Sequence, residues 1–323
     1  MRSGRLRRLA EELEEAGLRV PEASIGDLLL EEVDHALRPP VHERRIPSGG
    51  TILFPRSDPA SWAGATELDI TRKPVGDQPL DAARRFADGL STWLLRDDGA
   101  TEWVMFDRPA GSERDLVVLS AALDAVVVQR HPSGAVRVVG SFGVLRWTGL
   151  VWRLEPPVSS WLDAVTARTA TPDVRLLGAL LEFAVHDLGA NRIGALLIYR
   201  TVDAEAPVVE PRLPAPLPLR IDRPSHLAAL RHALSQVDGA AVFDAEGVLR
   251  QLGVRLVPSG AAESQVEAFR GTRHTSGRRY SYDDPTAIVI IVSDDGPVSV
   301  LQHGAVLARS PAPGSTSFRA SKR

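Results

Sequence analysis

A chain of 323 residues, 44% hydrophobic and 24% charged, has a globular make-up and is long enough for two domains, each with its own core. Its 38 basic and 41 acidic residues leave a net charge of -3 and are spread evenly, so neither a nucleic-acid-binding face nor an acidic disordered tail is indicated. Cysteine is absent, which excludes a disulfide framework, a thiolate metal site and a cysteine nucleophile, and fits a reducing cytoplasm.

The start, MRSGRLRRLAEELEEAG, is basic like an export signal, but Glu11, Glu12, Glu14 and Glu15 stand where the apolar core of a signal would run. It reads as a helix. Apolar runs such as 287–292 fall far short of the ~20 residues that cross a bilayer, so a soluble, cytoplasmic protein with no membrane partner is expected. Leu6, Leu9, Leu13 and Leu18, then Ile25, Leu28, Leu29 and Val33 after Pro21, predict two short amphipathic helices. Residues 38–77 are rich in Pro, Gly and Ser and read as a connector, apart from a short apolar run at 51–54. A helix is expected at 80–89, and strands at 103–106, 125–128, 136–139 and 144–147, with a turn at His131-Pro132-Ser133-Gly134. Together these predict a mixed α+β N-terminal domain over 1–157, regulatory or sensory in role, with Trp147 and Trp152 closing its core. Arg84, Asp107 and Arg114 could serve a small ligand, but a solvated surface is the favoured reading for all three.

A connecting helix is expected at 158–173, with Thr171-Pro172 as a boundary. The second domain, 174–308, opens on a helix at 174–188 that stops at Gly189-Ala190-Asn191, followed by a strand at 193–199. The segment 204–219 carries five prolines and reads as a stiff loop within that domain. A helix at 224–237 leads to Asp238-Gly239-Ala240, where a glycine admits close backbone approach and a carboxylate can hold a metal or a hydroxyl. Taken alone, such a tripeptide is more often a plain turn. A hairpin turning at 244–247 returns along 248–256, and a helix at 262–270 leads into Gly271-Thr272-Arg273-His274-Thr275-Ser276-Gly277. Hydroxyls, a guanidinium and an imidazole beside two glycines at a helix start suit phosphate oxygens, although from these residues alone a polar loop with a helix cap at Thr272 is the favoured reading. A buried strand at 287–292, the turn Ser293-Asp294-Asp295-Gly296 and another strand complete the domain; the tail 309–323 reads as disordered.

These segments resemble the diadenylate cyclase domain family, whose signatures include a DGA motif and a later GTRHR motif. Arg192-Ile193-Gly194-Ala195-Leu196 resembles the family's R-I-G-A-L upstream, and Val292-Ser293-Asp294-Asp295-Gly296 its V-S-E-E-T-G. The resemblance spans Arg175 to Ala308, with the four motifs in the family order. It implies an α/β fold in which a twisted mixed sheet is flanked by helices. It also implies condensation of two ATP into cyclic di-AMP with a divalent metal, Mg²⁺ or Mn²⁺, between facing sites of a homo-oligomer. By resemblance, Asp238, Arg273 and His274 are catalytic; Gly239, Ala240, Leu256, Gly271, Thr272, Ser276 and Ser293 bind the nucleotide; and Asp238, His274 and Asp295 hold the metal. Three departures stand out: Thr275 replaces the family's second arginine, Gln236-Val237 replaces L-H, and Asp294-Asp295 replaces a glutamate pair. Arg278 or Arg279 is positioned in sequence to take the place of the missing guanidinium, and a nucleotide-binding sensor without turnover is the alternative.

Overall fold

A computed structural model describes residues 3–21, 23–41, 43–97, 99–168, 173–201, 209–269 and 271–311. The chain divides into two units, one ending at Pro157 and the other running from Val158 to Ser310. Each is a mixed α/β domain built on an open mixed sheet.

In the first unit, α1 (Gly4–Glu15) and α2 (Ala23–Leu37) precede β1 (Gly49–Leu53), α3 (Pro59–Thr66), β2 (Ile70–Pro74) and α4 (Leu80–Arg84). Then come β3 (Thr92–Asp97), β4 (Ala100–Phe106), α5 (Glu113–Leu123), β5 (Val126–Arg130), β6 (Val136–Gly140), β7 (Gly143–Trp147) and β8 (Trp152–Glu155). The sheet order is β2-β4-β3-β1-β5-β6-β7-β8, with β1 parallel to β3 and antiparallel to β5. Leu9, Leu13, Leu30 and Val33 on α1 and α2 pack against Val128, Val138 and Leu145 on one face. Trp62 of α3 and Leu116 and Leu119 of α5 cover Ile52, Trp93 and Val127 on the other.

Three expectations change here. The stretch 38–77 is no connector: it supplies β1 at the middle of the sheet, together with α3 and β2. β1 is hard to see because two glycines occupy its start, yet Gly50 is needed there, since a Cβ would run into the Trp93 ring and lie 2.7 Å from Gly89 Cα. The helix at 80–89 ends at Arg84, and α5 is an additional helix, started by a capping box in which Ser112 and Asp115 exchange hydrogen bonds. Trp147 and Trp152 do pack together, at 5.3 Å between ring centroids. Arg84 is not solvated surface, because its guanidinium pairs with Glu32, which is 2% exposed.

The second unit begins with α6 (Val158–Thr166) and α7 (Val174–Glu182), which runs into a π-helical turn (Phe183–Leu188) and a 3₁₀ turn (Gly189–Asn191). The expected single helix over 174–188 thus changes its winding, and the left-handed stop falls on Arg192 rather than on Gly189-Ala190-Asn191. β9 (Ala195–Arg200), β10 (Val209–Glu210), α8 (Pro224–Gln236), β11 (Ala240–Phe243) and β12 (Leu249–Leu256) follow. The unit ends with α9 (Gly260–Gln265), α10 (Thr272–Asp283), β13 (Ala287–Val292), β14 (Val298–Gln302) and β15 (Ala305–Arg309). The Thr171-Pro172 boundary, residues 204–208 of the proline-rich segment, Arg270 and the tail from 312 lie outside the described residues.

The sheet order is β10-β12-β11-β9-β13-β14-β15, with β9 and β11 parallel and the other pairs antiparallel. Successive residues of β9 and β13 point to opposite faces, and both faces are covered, which is why these strands are apolar throughout. Leu197, Tyr199, Ile288 and Ile290 meet the layer of α6, α7 and α8, while Leu196, Ile198, Val289 and Ile291 meet Tyr280 of α10. Gly277 lets α10 lie close, since a Cβ there would sit 2.9 Å from Ile291 Cδ1 and 3.1 Å from Leu196 Cδ1. Among the described residues no helix is long and apolar enough to cross a membrane.

Candidate functional site

The register of the second sheet determines which ends of its strands meet. Ala240 at the start of β11 is opposite Leu196 near the start of β9, Ala195 is opposite Val292 at the end of β13, and Val254 near the end of β12 is opposite Ala240. Segments just before β11 and just after β13 therefore emerge on one edge, with the start of α10 beside them. An open cavity of about 1060 Å³ lies there. Asp238 and Gly239 line it just before β11, Ala240 at the start of β11, Leu256 from β12, Gly271 just before α10, Thr272, Arg273, His274 and Ser276 from α10, and Ser293 and Asp295 from the turn after β13. All the site residues singled out in the sequence thus share this cavity.

Glycines determine how closely its walls approach. Gly239 has φ 115°, and a Cβ on it would lie 2.6 Å from the Gly253 carbonyl carbon, so β11 and β12 cross here at backbone distance. On the other side, a Cβ on Gly189 would sit 2.7 Å from Gly296 O, so the start of the 3₁₀ turn abuts the turn that carries Ser293, Asp294 and Asp295. A Cβ on Gly194 would overlap Asp294 Oδ1 and Arg273 Nη1 and lie 2.8 Å from Arg273 Cζ. That overlap explains the glycine: Arg273 donates to Asp294 Oδ1 at 2.6 Å directly over the backbone of residue 194.

α10 starts at Gly271, which has φ 98° and makes no side-chain capping bond. The first amides of this helix accordingly have no capping side chain, and together with the helix dipole they favour an anion in the cavity. His274 stacks near Phe269, at 5.6 Å between ring centroids. Burial and the Arg273 guanidinium hold its imidazole below the ordinary 6.5, against the pull of Asp295, so the ring is neutral at pH 7 and has a lone pair to offer.

Thr275 faces away from this chemistry. Its hydroxyl donates to Phe269 O at 3.0 Å and accepts from Phe269 N at 3.1 Å, closing the loop before α10. Neither Arg278 nor Arg279 replaces the missing guanidinium: Arg278 donates to Gly304 O at 3.1 Å and Glu267 O at 3.3 Å, Arg279 lies 3.8 Å from Glu263, and neither lines the cavity. Two arginines that sequence reasoning passed over do line it, Arg212 and Arg255, both exposed. Arg255 is 3.4 Å from Glu210 across the β10–β12 pair. Leu256, one residue on, is opposite Val209 in that pair.

Among the described residues no three His, Asp or Glu side chains converge tightly enough to hold a metal ion on their own. Asp238, His274 and Asp295 therefore share a cavity without forming a closed ligand set. Their chemistry still fits a hard divalent ion of the Mg²⁺ kind, which takes one or two carboxylates and completes its shell with substrate phosphates and water. The charge count agrees. Asp238, Glu263, Asp294 and Asp295 outnumber Arg212, Arg255 and Arg273, so a polyanion is better received with a cation than bare.

Comparison with known proteins gives two family matches. Residues 7–155 match DACNK, described as a probable sensor domain, and residues 182–306 match DAC, described as DisA bacterial checkpoint controller nucleotide-binding. Among solved structures, a hypothetical membrane spanning protein from Bacillus cereus is similar at 17% identity, over 41% of this chain and 69% of that one, with a TM-score of 0.30. Among curated proteins none matches.

Proposed function

The chain carries an N-terminal DACNK probable sensor domain and a C-terminal DisA-type nucleotide-binding domain, and on that premise we propose that it is a diadenylate cyclase. It condenses two ATP into cyclic di-AMP and releases two pyrophosphates. The observation that carries this reading is the convergence of Asp238, the start of α10 and the Ser293–Asp295 turn on one cavity large enough for a nucleotide.

Gly239 and Ala240 form the floor under the base and sugar, and Leu256 lies at the adenine end. Thr272, Ser276 and Ser293 offer hydroxyls to the phosphates, and the first amides of α10 add backbone donors. Arg273 exchanges Asp294 for a phosphate oxygen, and Arg212 and Arg255 supply positive charge where the family's second arginine is missing. Asp238, His274 and Asp295 would hold the divalent ion. When bound, that ion supplies charge stabilisation at the phosphate undergoing substitution. In each step the 3′-hydroxyl of one ATP gives up its proton to solvent as its oxygen bonds to the α-phosphorus of the other and the bond to pyrophosphate breaks. Each cavity takes one ATP, so two protomers must present their sites to each other, and proximity supplies much of the rate.

A second reading, a nucleotide-binding sensor without turnover, is favoured by two observations: Arg273 is already neutralised by Asp294, and Thr275 is turned to the backbone. Mass spectrometry of full-length protein incubated with ATP and Mn²⁺ separates the two. Cyclic di-AMP supports the cyclase; retained ATP with no product supports the sensor; neither product nor bound ATP overturns both.

A further inference from the structure

A second cavity, of about 340 Å³, opens in the N-terminal unit between α2, the start of β1 and the end of α4. Its size is that of a small-molecule site. Glu32 lies in its wall at 2% exposure, but its charge is already committed: it accepts from Arg84 at 2.6 Å, from Thr51 at 2.7 Å and from Arg96. Arg84 also donates to Asp81 at 3.2 Å, yet its Nε is buried and has no partner. A charged N–H left in that state is costly.

The remaining charge is positive. Arg84, Arg85 and Arg130 line the cavity against Glu32 and Asp81, and Glu32 is shared with a further guanidinium, Arg96. His35 adds no charge, because burial and Arg84 hold its imidazole below the ordinary 6.5, against Glu32, Asp81 and Asp34. Apart from Ser48 and Thr51, the rest of the wall is mainly apolar, including Ala36, Val41, Ala87 and Val128.

We propose that this cavity is the ligand site of the N-terminal domain and that it takes a small organic anion. The carboxylate or phosphate head would lie at Arg84 and Arg85, and a compact apolar or ring body against Ala87 and Val128. Such a site gives a sensing domain something to sense, and it stands independently of the nucleotide reading of the other unit.

Calorimetric titration of the full-length protein with benzoate, phenyl phosphate and the neutral benzyl alcohol tests it. Saturable binding of at least one anion and none of the alcohol is expected, and the better anion identifies the head group. Arg85→Glu reverses a charge at the exposed mouth without touching the Glu32 pairs, and should weaken anion binding about tenfold or more. Hydrogen exchange on the same complexes should show protection at 48–51 and 81–87. The proposal is overturned by the absence of saturable anion binding, by equal binding of the alcohol, or by wild-type affinity in Arg85→Glu. Protection confined to 238–295 overturns it as well, since the anion would then occupy the other cavity.

Discussion

Gly194→Ala separates the site's chemistry from the stability of its fold. The backbone at Gly194 lies outside the left-handed region, so alanine is tolerated there conformationally. Its methyl, however, would take the space of Asp294 Oδ1 and the Arg273 guanidinium, and both must move. The side chains of this pair are 36% and 77% exposed, so breaking the pair should cost the fold no more than about 1 kcal/mol. The nucleotide should lose more. If Arg273 makes a charge-assisted bond to phosphate, its displacement removes about 1.5–3 kcal/mol, or roughly 10- to 150-fold in affinity. Titration with a fluorescent ATP analogue, alongside thermal melting, measures both quantities. A variant that melts normally and binds the analogue as tightly as the wild type would refute the placement of Arg273 on the phosphates.

Thr275→Val should loosen the loop before α10 by removing the bonds to Phe269 N and O, at about 0.5–1.5 kcal/mol of stability, and should weaken ATP binding in parallel; an unchanged melting temperature contradicts that role. Glu32→Gln should destabilise the N-terminal unit by about 3–5 kcal/mol at pH 7, because Arg84 and Arg96 lose a buried partner. Burial pushes the Glu32 carboxyl up, but Arg84, Arg96 and Thr51 together bring it below its ordinary 4.5. Its contribution is therefore complete above pH 4.5 and lost as pH falls through the lower folded value, so the melting gap between wild type and Glu32→Gln should close below that range. A gap of constant size from pH 7 to pH 3 would contradict the pairing.

Much of the C-terminal site was legible because its residues serve backbone geometry and local chemistry at once. Gly239, Gly194 and Gly271 each occupy a position where a side chain would collide or strain, and such positions stand out in a sequence as glycines beside polar residues. Arg212 and Arg255 were not legible. They reach the cavity only because β10 pairs with β12, and two residues of strand after a proline-rich stretch carry no periodicity to announce that pairing. The displacement of Thr275 from the site was equally hidden, since it depends on the bend that returns Phe269 to the first turn of α10. In the N-terminal unit the apolar faces of α1 and α2 were plain. The central strand β1 was not, because Gly49 and Gly50 lower its strand signal for the sake of packing against Trp93 and Gly89. Arg84 read as surface because its buried partner, Glu32, lies on a different helix far upstream in the chain.

The cyclase reading rests most directly on Asp238, which immediately precedes Gly239 and β11 and lines the cavity. Asp238→Asn keeps the shape of the side chain and removes the charge that would hold the divalent ion. The decisive measurement is cyclic di-AMP formed from ATP and Mn²⁺ by full-length wild type and Asp238→Asn at equal concentration, with melting curves confirming that both are folded. The account predicts product from the wild type and none from the folded variant. Undiminished product from Asp238→Asn would contradict it.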